Sequence, residues 1–426
     1  MAVTEVGEWL AGRAVALSGL APGTPTDDLE PLRPALAGVR VVGLGESTHG
    51  TREFFLLKHR LLEFLVGRLG FTTLAMEASA SASRALNDYV LHGTGDAGET
   101  LTGLGFWTWN TAEMLAVVEW LREHNRTAEE SRKVRFAGID PQHAAGSLRE
   151  VRAFLQEAAP GRVAELTGPL AGIDGFRLGF DRPVAGGLDA ARRLEDFLAG
   201  EAETLTGEYG AGRVDDVRWH ARIVRQSADL AGRPFRHHDA EQTVSAARDA
   251  YLADNVDLLL RDPGAKVAVW AHNGHVGKSR YGRDAVMKGS HAGIIPMGQH
   301  LAQRHGAAYY ALGLLFGQGE FRARRKLFGR ISTRRPPARH RVPAAGTPAA
   351  VETHLAAAHD GDHVVDLRGG PHPEAVREWL DAIQHTRSYG AVVGAFSYKL
   401  AFMPTVPAEA YDGLAFVARG TCSTRL

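Results

Sequence analysis

The stretch VRVVGLGESTHGTREFFLLKHRLLEFLVGRLGFTTLAME, Val39 to Glu77, decides the fold. Its opening, Val39–Gly45, is a short apolar run rich in β-branched residues and bounded by glycine, which reads as a buried strand. From Thr51 to Leu69 apolar residues recur at helical spacing, with Thr51 placed to cap the helix and Gly70 to stop it. Phe71–Glu77 is a second buried strand. Strand, helix and strand in that order make a βαβ unit, and such a unit predicts a parallel sheet at this end of the chain.

Outward from this unit, VRFAGID (Val134–Asp140), KVAVWAH (Lys266–His272) and AAYYALGLLF (Ala307–Phe316) read as further strands separated by helical pattern. Between Ser147 and Leu260 the pattern changes to long amphipathic stretches with no strand among them. The expected fold is therefore α/β, a mixed, mainly parallel sheet flanked by helices, with an inserted helical lobe covering a cleft. Residues 1–146 are expected to form the first part of the α/β core, 147–262 the helical insertion and 263–426 the second part. The basic run from Arg322 to Arg341 reads as a solvated loop or hairpin, because its charges lack the repeated aromatic interleaving that nucleic-acid stacking would need.

A chain of 426 residues with 44% hydrophobic and 23% charged residues can bury a large core. Its 49 basic and 49 acidic side chains cancel, so there is no broad positive field of the kind that binds nucleic acid. Cys422 is the one cysteine and cannot form an internal disulfide, which fits a reducing compartment. The N-terminal MAVTEVGEWLAGRAVAL lacks the basic start and uninterrupted apolar run of a signal peptide, and nowhere does an apolar stretch reach the ~20 residues of a membrane span. A cytoplasmic monomer or small homo-oligomer acting on a small molecule, with neither nucleic acid nor membrane as partner, is the expectation.

Three constellations can carry chemistry. In VVGLGESTHG, Glu46 and His49 lie in the turn beyond a buried strand, at the carboxyl edge of the sheet where ligands of open α/β proteins collect. A carboxylate there can orient the imidazole and tune its basicity. Thr48 stands where a dinucleotide fingerprint needs its third glycine, so a nucleotide cofactor is not expected. Glu77 ends the next strand on the same edge, and two converging acids need a cation, a proton or an Arg/Lys between them. In VAVWAHNGHVGK, His272 and His275 again follow a strand and could bind a metal, stabilise an oxyanion or move protons. Helix capping and ordinary loop packing are the structural alternatives for each group. Asp140 also ends a strand, and Arg248, Asp249 and Asn255 share a helical stretch that offers either internal salt bridges or a polar cleft wall. The chain has no GxSxG elbow, no HExxH helix and no Walker loop, which leaves general-base activation of water as the expected chemistry.

In GLGESTHGTREFFLLKHRLLEFLVGRLGF, RDAYLADNV and WAHNGHVG, taken in this order, the chain resembles the erythromycin esterase family. The resemblance spans most of the chain from about residue 36 and implies ring-opening hydrolysis of a macrolide lactone without a serine nucleophile. It makes His49 the general base, Glu46 its orienting partner, and Glu77, His272 and His275 the rest of the catalytic set. It also implies a basic residue in the helix after the first motif, where this chain has Lys58 in place of the expected Arg. Substrate contacts are expected at Lys58, Asp140, Gln142, Arg248 and Asn273. No cofactor is expected, although Glu46, His49, Glu77 and His275 could together ligate a divalent ion. The same site could serve a secondary-metabolite tailoring enzyme performing cyclisation, elimination or transacylation, and a non-catalytic small-molecule binding protein is a third reading.

Overall fold

The computed structural model describes residues 2–173, 186–281, 293–327, 330–331 and 335–426. The described strands are β1 Val15–Ala16, β2 Val41–Leu44, β3 Thr73–Ser79, β4 Arg135–Asp140, β5 Val267–Trp270, β6 Tyr309–Leu327, β7 Arg330–Ile331, β8 Ala338–Val342, β9 His363–Asp366, β10 Gln384–Arg387, β11 Val392–Gly394, β12 Phe402–Thr405 and β13 Gly413–Gly420. The main sheet runs β1-β9-β13-β6-β2-β5-β3-β4, parallel from β13 to β4 and antiparallel where β9 joins β13 and β1. This is the mixed, mainly parallel sheet that the βαβ reading requires.

Chain order places the site. β3 leaves a gap beside β2 that β5 fills later, and β6 then lies on the opposite side of β2. The carboxyl ends of β2, β5, β3 and β4 are therefore neighbours although they come from distant parts of the sequence, and the register aligns Leu44, Trp270, Met76 and Gly138 in one row across them. Connections diverge from β2 and β5 here, the arrangement that opens a ligand crevice in α/β sheets.

The first helix of the βαβ unit runs Arg52–Leu69 and stops at Gly70, whose φ of 72° is the left-handed conformation that glycine adopts without penalty. Thr51 is at the N-cap position, but its hydroxyl makes no cap bond and lies 3.3 Å from that of Thr48. The helix is also less amphipathic than its spacing suggests: Lys58, His59 and Arg60 are buried along with its apolar face.

Two hydrophobic clusters cover the sheet, one around Phe54, Phe64, Trp109 and Phe316, the other around Val269, Leu252, Met297 and Leu414. Between residues 145 and 232 the described residues are helical and close on a cluster of their own that includes Leu148, Val151, Leu194, Leu198, Val217 and Val224. Helix Val244–Leu259, within the 147–262 segment, instead buries Leu252, Ala253 and Val256 in the second sheet cluster. It is consequently held rigidly over the strand ends. The basic run is a hairpin: β6 continues past the sheet and returns antiparallel through β8, with Phe321 opposite His340; residues 328–329 and 332–334 of that run lie outside the described residues. Among the described residues no helix is long and apolar enough to cross a membrane.

Candidate active site

The loop after β2 turns at Gly45, where a Cβ would collide with Asn273 Oδ1 and Leu312 O, so only glycine allows the backbone so close to its neighbours. The loop is clamped on its outer side. Gly50 O accepts from Arg322 N at 3.1 Å and from Ser423 N at 3.0 Å, Arg52 N donates to Thr421 O at 2.9 Å, and Thr421 in turn donates to both oxygens of Glu53 at 2.6 Å. Tyr389 N donates to Ser47 O at 2.7 Å. The result is a fixed platform for Glu46 and His49.

His49 Nδ1 lies 2.7 Å from Glu46 Oε1. With a carboxylate as partner, Nδ1 carries the proton and Nε2 keeps the lone pair, which is the tautomer a base needs. Glu46 is fully buried and has Lys58 Nζ 2.6 Å from its other oxygen. Burial acts to raise the Glu46 pKa, but the Lys58 charge and the His49 hydrogen bond outweigh it and hold the carboxyl below its usual range. Lys58 is itself fully buried, donates to Leu44 O at 3.2 Å and lies 4.5 Å from the centre of the Trp270 ring. Burial pulls its pKa down to about 8 in spite of Glu46. Lys58 therefore lies beneath Glu46 and does not reach the cavity, contrary to the substrate-contacting role expected for it.

β3 and β4 lose register between Met76 and Ser79, and Glu77 falls in that irregularity at the carboxyl end of β3. Glu77 Oε2 accepts the His272 backbone N–H at 3.0 Å, while Oε1 lies 2.8 Å from Arg248 Nη2 and 3.2 Å from His275 Nε2. Burial opposes its charge, yet His275 and Arg248 keep its pKa well below the carboxylate range. Arg248 is also held by Asp140 Oδ2 at 2.6 Å, and His275 Nδ1 by Asp249 Oδ1 at 2.7 Å. His275 Nε2 is 3.0 Å from Arg248 Nη1 as well, a contact that suits a lone pair there. Burial lowers the His275 pKa, but Asp249 and then Glu77 outweigh it and lift it to about 10, which favours the imidazolium.

His272 is different. Its Nδ1 accepts from Gly274 N at 3.1 Å, burial lowers its pKa to about 3, and the ring is neutral with its proton on Nε2. That Nε2 is buried and has no hydrogen-bond partner among the described residues. The rings of His272 and His49 lie side by side with centroids 5.0 Å apart.

These groups line one cavity of about 590 Å³, a size that suits a small-molecule site. Its floor includes His49, Glu77, Arg248, His272 and His275, and its walls include Phe106, Trp109, Phe235, Ile294, Val392 and Met403. Sequence reasoning passed over the wall. Trp109, from the aromatic FWTWN motif, packs edge-on to His49 and donates its indole N–H to Glu77 O at 2.9 Å. Two expected substrate contacts are internal braces: Asn273 uses its amide on both backbone groups of Leu314, and Gln142 Nε2 donates to Asp140 Oδ2 at 2.7 Å although Gln142 borders the cavity. Asp140 is fully buried and acts on Arg248. Among the described residues no three His, Cys, Asp or Glu side chains are arranged to hold a metal ion. The residues also fit a cation poorly, since Lys58 and Arg248 already neutralise Glu46 and Glu77.

A mainly parallel α/β fold with a strand-end cleft of histidines and carboxylates describes a class of enzyme-like pocket proteins. The chain belongs to the erythromycin esterase family, whose model matches residues 66–420. That range contains Glu77, Asp140, Arg248, His272 and His275 and begins after Glu46, His49 and Lys58. The chain is 29% identical over 333 residues to the erythromycin esterase type II of Escherichia coli, covering 72% of this chain and 76% of that protein. Among solved structures, a Bacillus cereus protein superposes with a TM-score of 0.82 at 22% identity, over 100% of this chain and 99% of the other. A mutant of the erythromycin esterase EreC in its open conformation superposes with a TM-score of 0.66 at 22% identity, over 94% and 96% of the two chains.

Proposed function

We propose that this protein hydrolyses a carboxylic ester or lactone of a large, largely apolar small molecule, with His49 as the general base. The observation that carries the reading is the 2.7 Å contact between His49 Nδ1 and Glu46 Oε1, which leaves the opposite ring nitrogen to draw a proton from water in the cavity. The hydroxide so formed adds to the ester carbonyl carbon. The unpartnered Nε2–H of His272 donates to the oxygen that becomes negative. As the tetrahedral intermediate collapses, the C–O bond to the alcohol breaks and the proton held by His49 passes to the leaving oxygen. One water is consumed, giving an acid and an alcohol.

Glu77, Arg248 and His275 form the fixed charged floor, and the aromatic and aliphatic walls suit the apolar body of a macrolide or similar lactone. The test is a panel of macrolides and simpler lactones read by intact mass. Hydrolysis adds the mass of one water to the product, and His49→Ala should reduce turnover by ~10²–10⁴-fold with the fold intact. A product without that added mass, or undiminished turnover in His49→Ala, would end the reading.

A further inference from the structure

Outside the cavity, the described outer residues of the β6–β8 hairpin and the turn that follows β11 form one surface. Residues 321–342 contain nine arginines and lysines and no acid, and residues 388–406 contain Lys399 and no acid. Arg325, Lys326, Arg330, Arg335, Arg339 and Arg341 are exposed, as is Lys399. In a chain whose charges balance only when these residues are counted, this is a concentrated positive patch. Large apolar side chains are exposed in the same place: Phe396 at 83%, Leu400 at 82% and Leu327 at 44%.

The turn is held rigidly in this pose. Val392–Gly394 pairs with Arg324–Lys326, Ala395 N donates to Lys326 O at 3.0 Å, and Tyr398 OH donates to Arg341 O at 3.1 Å. The Tyr398 ring packs edge-on against His340 and Phe321, so the turn is anchored through Tyr398 while Phe396 and Leu400 point outward. Apolar side chains anchored in water carry a solvation penalty that only a partner removes.

We propose that this surface docks on an anionic lipid bilayer, with the arginines and lysines on headgroup phosphates and Phe396, Leu400 and Leu327 entering the interface. The chemistry of the patch selects this partner. Basic side chains ringing exposed aromatic and aliphatic ones match a surface that is negative outside and hydrocarbon within. A second copy of the chain would set two positive patches against each other. Single-stranded nucleic acid would need aromatic faces open for stacking, and here Tyr398 is turned inward while two of the three outward side chains are leucines. Val392 and Met403, which flank the turn in sequence, line the catalytic cavity, so docking would bring its mouth close to the membrane. The proposal does not depend on which reaction the cavity performs.

The experiment is co-sedimentation of the full chain with vesicles of phosphatidylcholine alone or mixed with phosphatidylglycerol. Binding to the mixed vesicles only is expected, falling about tenfold or more when salt rises to ~1 M, where the Debye length is ~3 Å. Phe396→Ser with Leu400→Ser, and separately Arg325→Glu with Lys326→Glu, should each weaken binding by about tenfold while circular dichroism and melting temperature stay unchanged. Equal binding to both vesicle types, no binding, or a serine variant that binds like wild type would overturn the proposal. So would single-stranded RNA binding unaffected by the serine substitutions, or a homodimer that those substitutions dissolve.

Discussion

Lys58 Nζ lies 2.6 Å from Glu46 Oε2, and neither side chain is exposed to solvent. A fully buried ion pair is stable only if each charge keeps its partner. Because Glu46 also holds His49, the lysine acts on the imidazole through the carboxylate.

The first prediction concerns that relay. Above about pH 8 Lys58 gives up its proton, Glu46 is left negative in a dry site, and kcat/KM should fall. Lys58→Arg keeps the charge at all working pH values and should move this alkaline limb upward. Lys58→Met should lower kcat by ~10–100-fold, the usual loss when a partner that orients an active group is removed, with little change in KM because Lys58 does not touch the cavity. A limb that stays near pH 8 in Lys58→Arg would refute the relay.

His272 makes a separate prediction. Its Nε2–H is a buried donor with no partner among the described residues, and donors of that kind act where negative charge develops. Removing it with His272→Ala should cost ~10²–10³-fold in kcat, the usual loss for one oxyanion donor. His272→Gln, which offers an amide N–H, should recover part of it. A change confined to KM would assign His272 to ground-state binding instead.

His275 should appear in the stability of the protein. An unfolded histidine titrates near 6.5 and the folded one near 10, so the folded state holds the proton more tightly. That stabilisation is complete below pH 6.5 and is lost as pH rises through 10. Thermal melting of the wild type should therefore decline over this range, and His275→Gln should melt lower at pH 7 with a flatter decline. Parallel curves for the two proteins would show that His275 is not held as the cation.

Activity should survive dialysis against a chelator. Both carboxylates of the candidate metal set already have a cation within 3 Å, Lys58 at 2.6 Å from Glu46 and Arg248 at 2.8 Å from Glu77. A divalent ion would have to compete with those charges. Loss of turnover on chelation, restored by one added metal, would refute this.

Much of the candidate site was legible because its residues sit directly after apolar runs. Buried strands announce themselves by composition, and the next few residues must come out at the sheet edge. Glu46, His49, Glu77, Asp140 and His272 could be placed in that way. Depth could not. Nothing in helical spacing distinguishes a lysine that reaches the cavity from one buried beneath it, so the position of Lys58 depended on packing against Trp270. Asn273 and Gln142 were legible as polar residues near the site, but their partners, Leu314 and Asp140, are set by the tertiary fold. The length of β6 was also hidden, since its outer half, Gln318–Leu327, is polar and lacks the apolar signature of a buried strand.

The clamp on the His49 loop has a kinetic consequence. Glu53, in the first turn of the helix after the loop, is fastened to Thr421 across a sequence separation of 368 residues. Contacts between such remote segments are slow to form, because loop-closure entropy is paid before they reward it. During refolding, secondary structure and tryptophan burial should return before turnover, because His49 acquires its final orientation only once the segments around Glu53 and Thr421 have met.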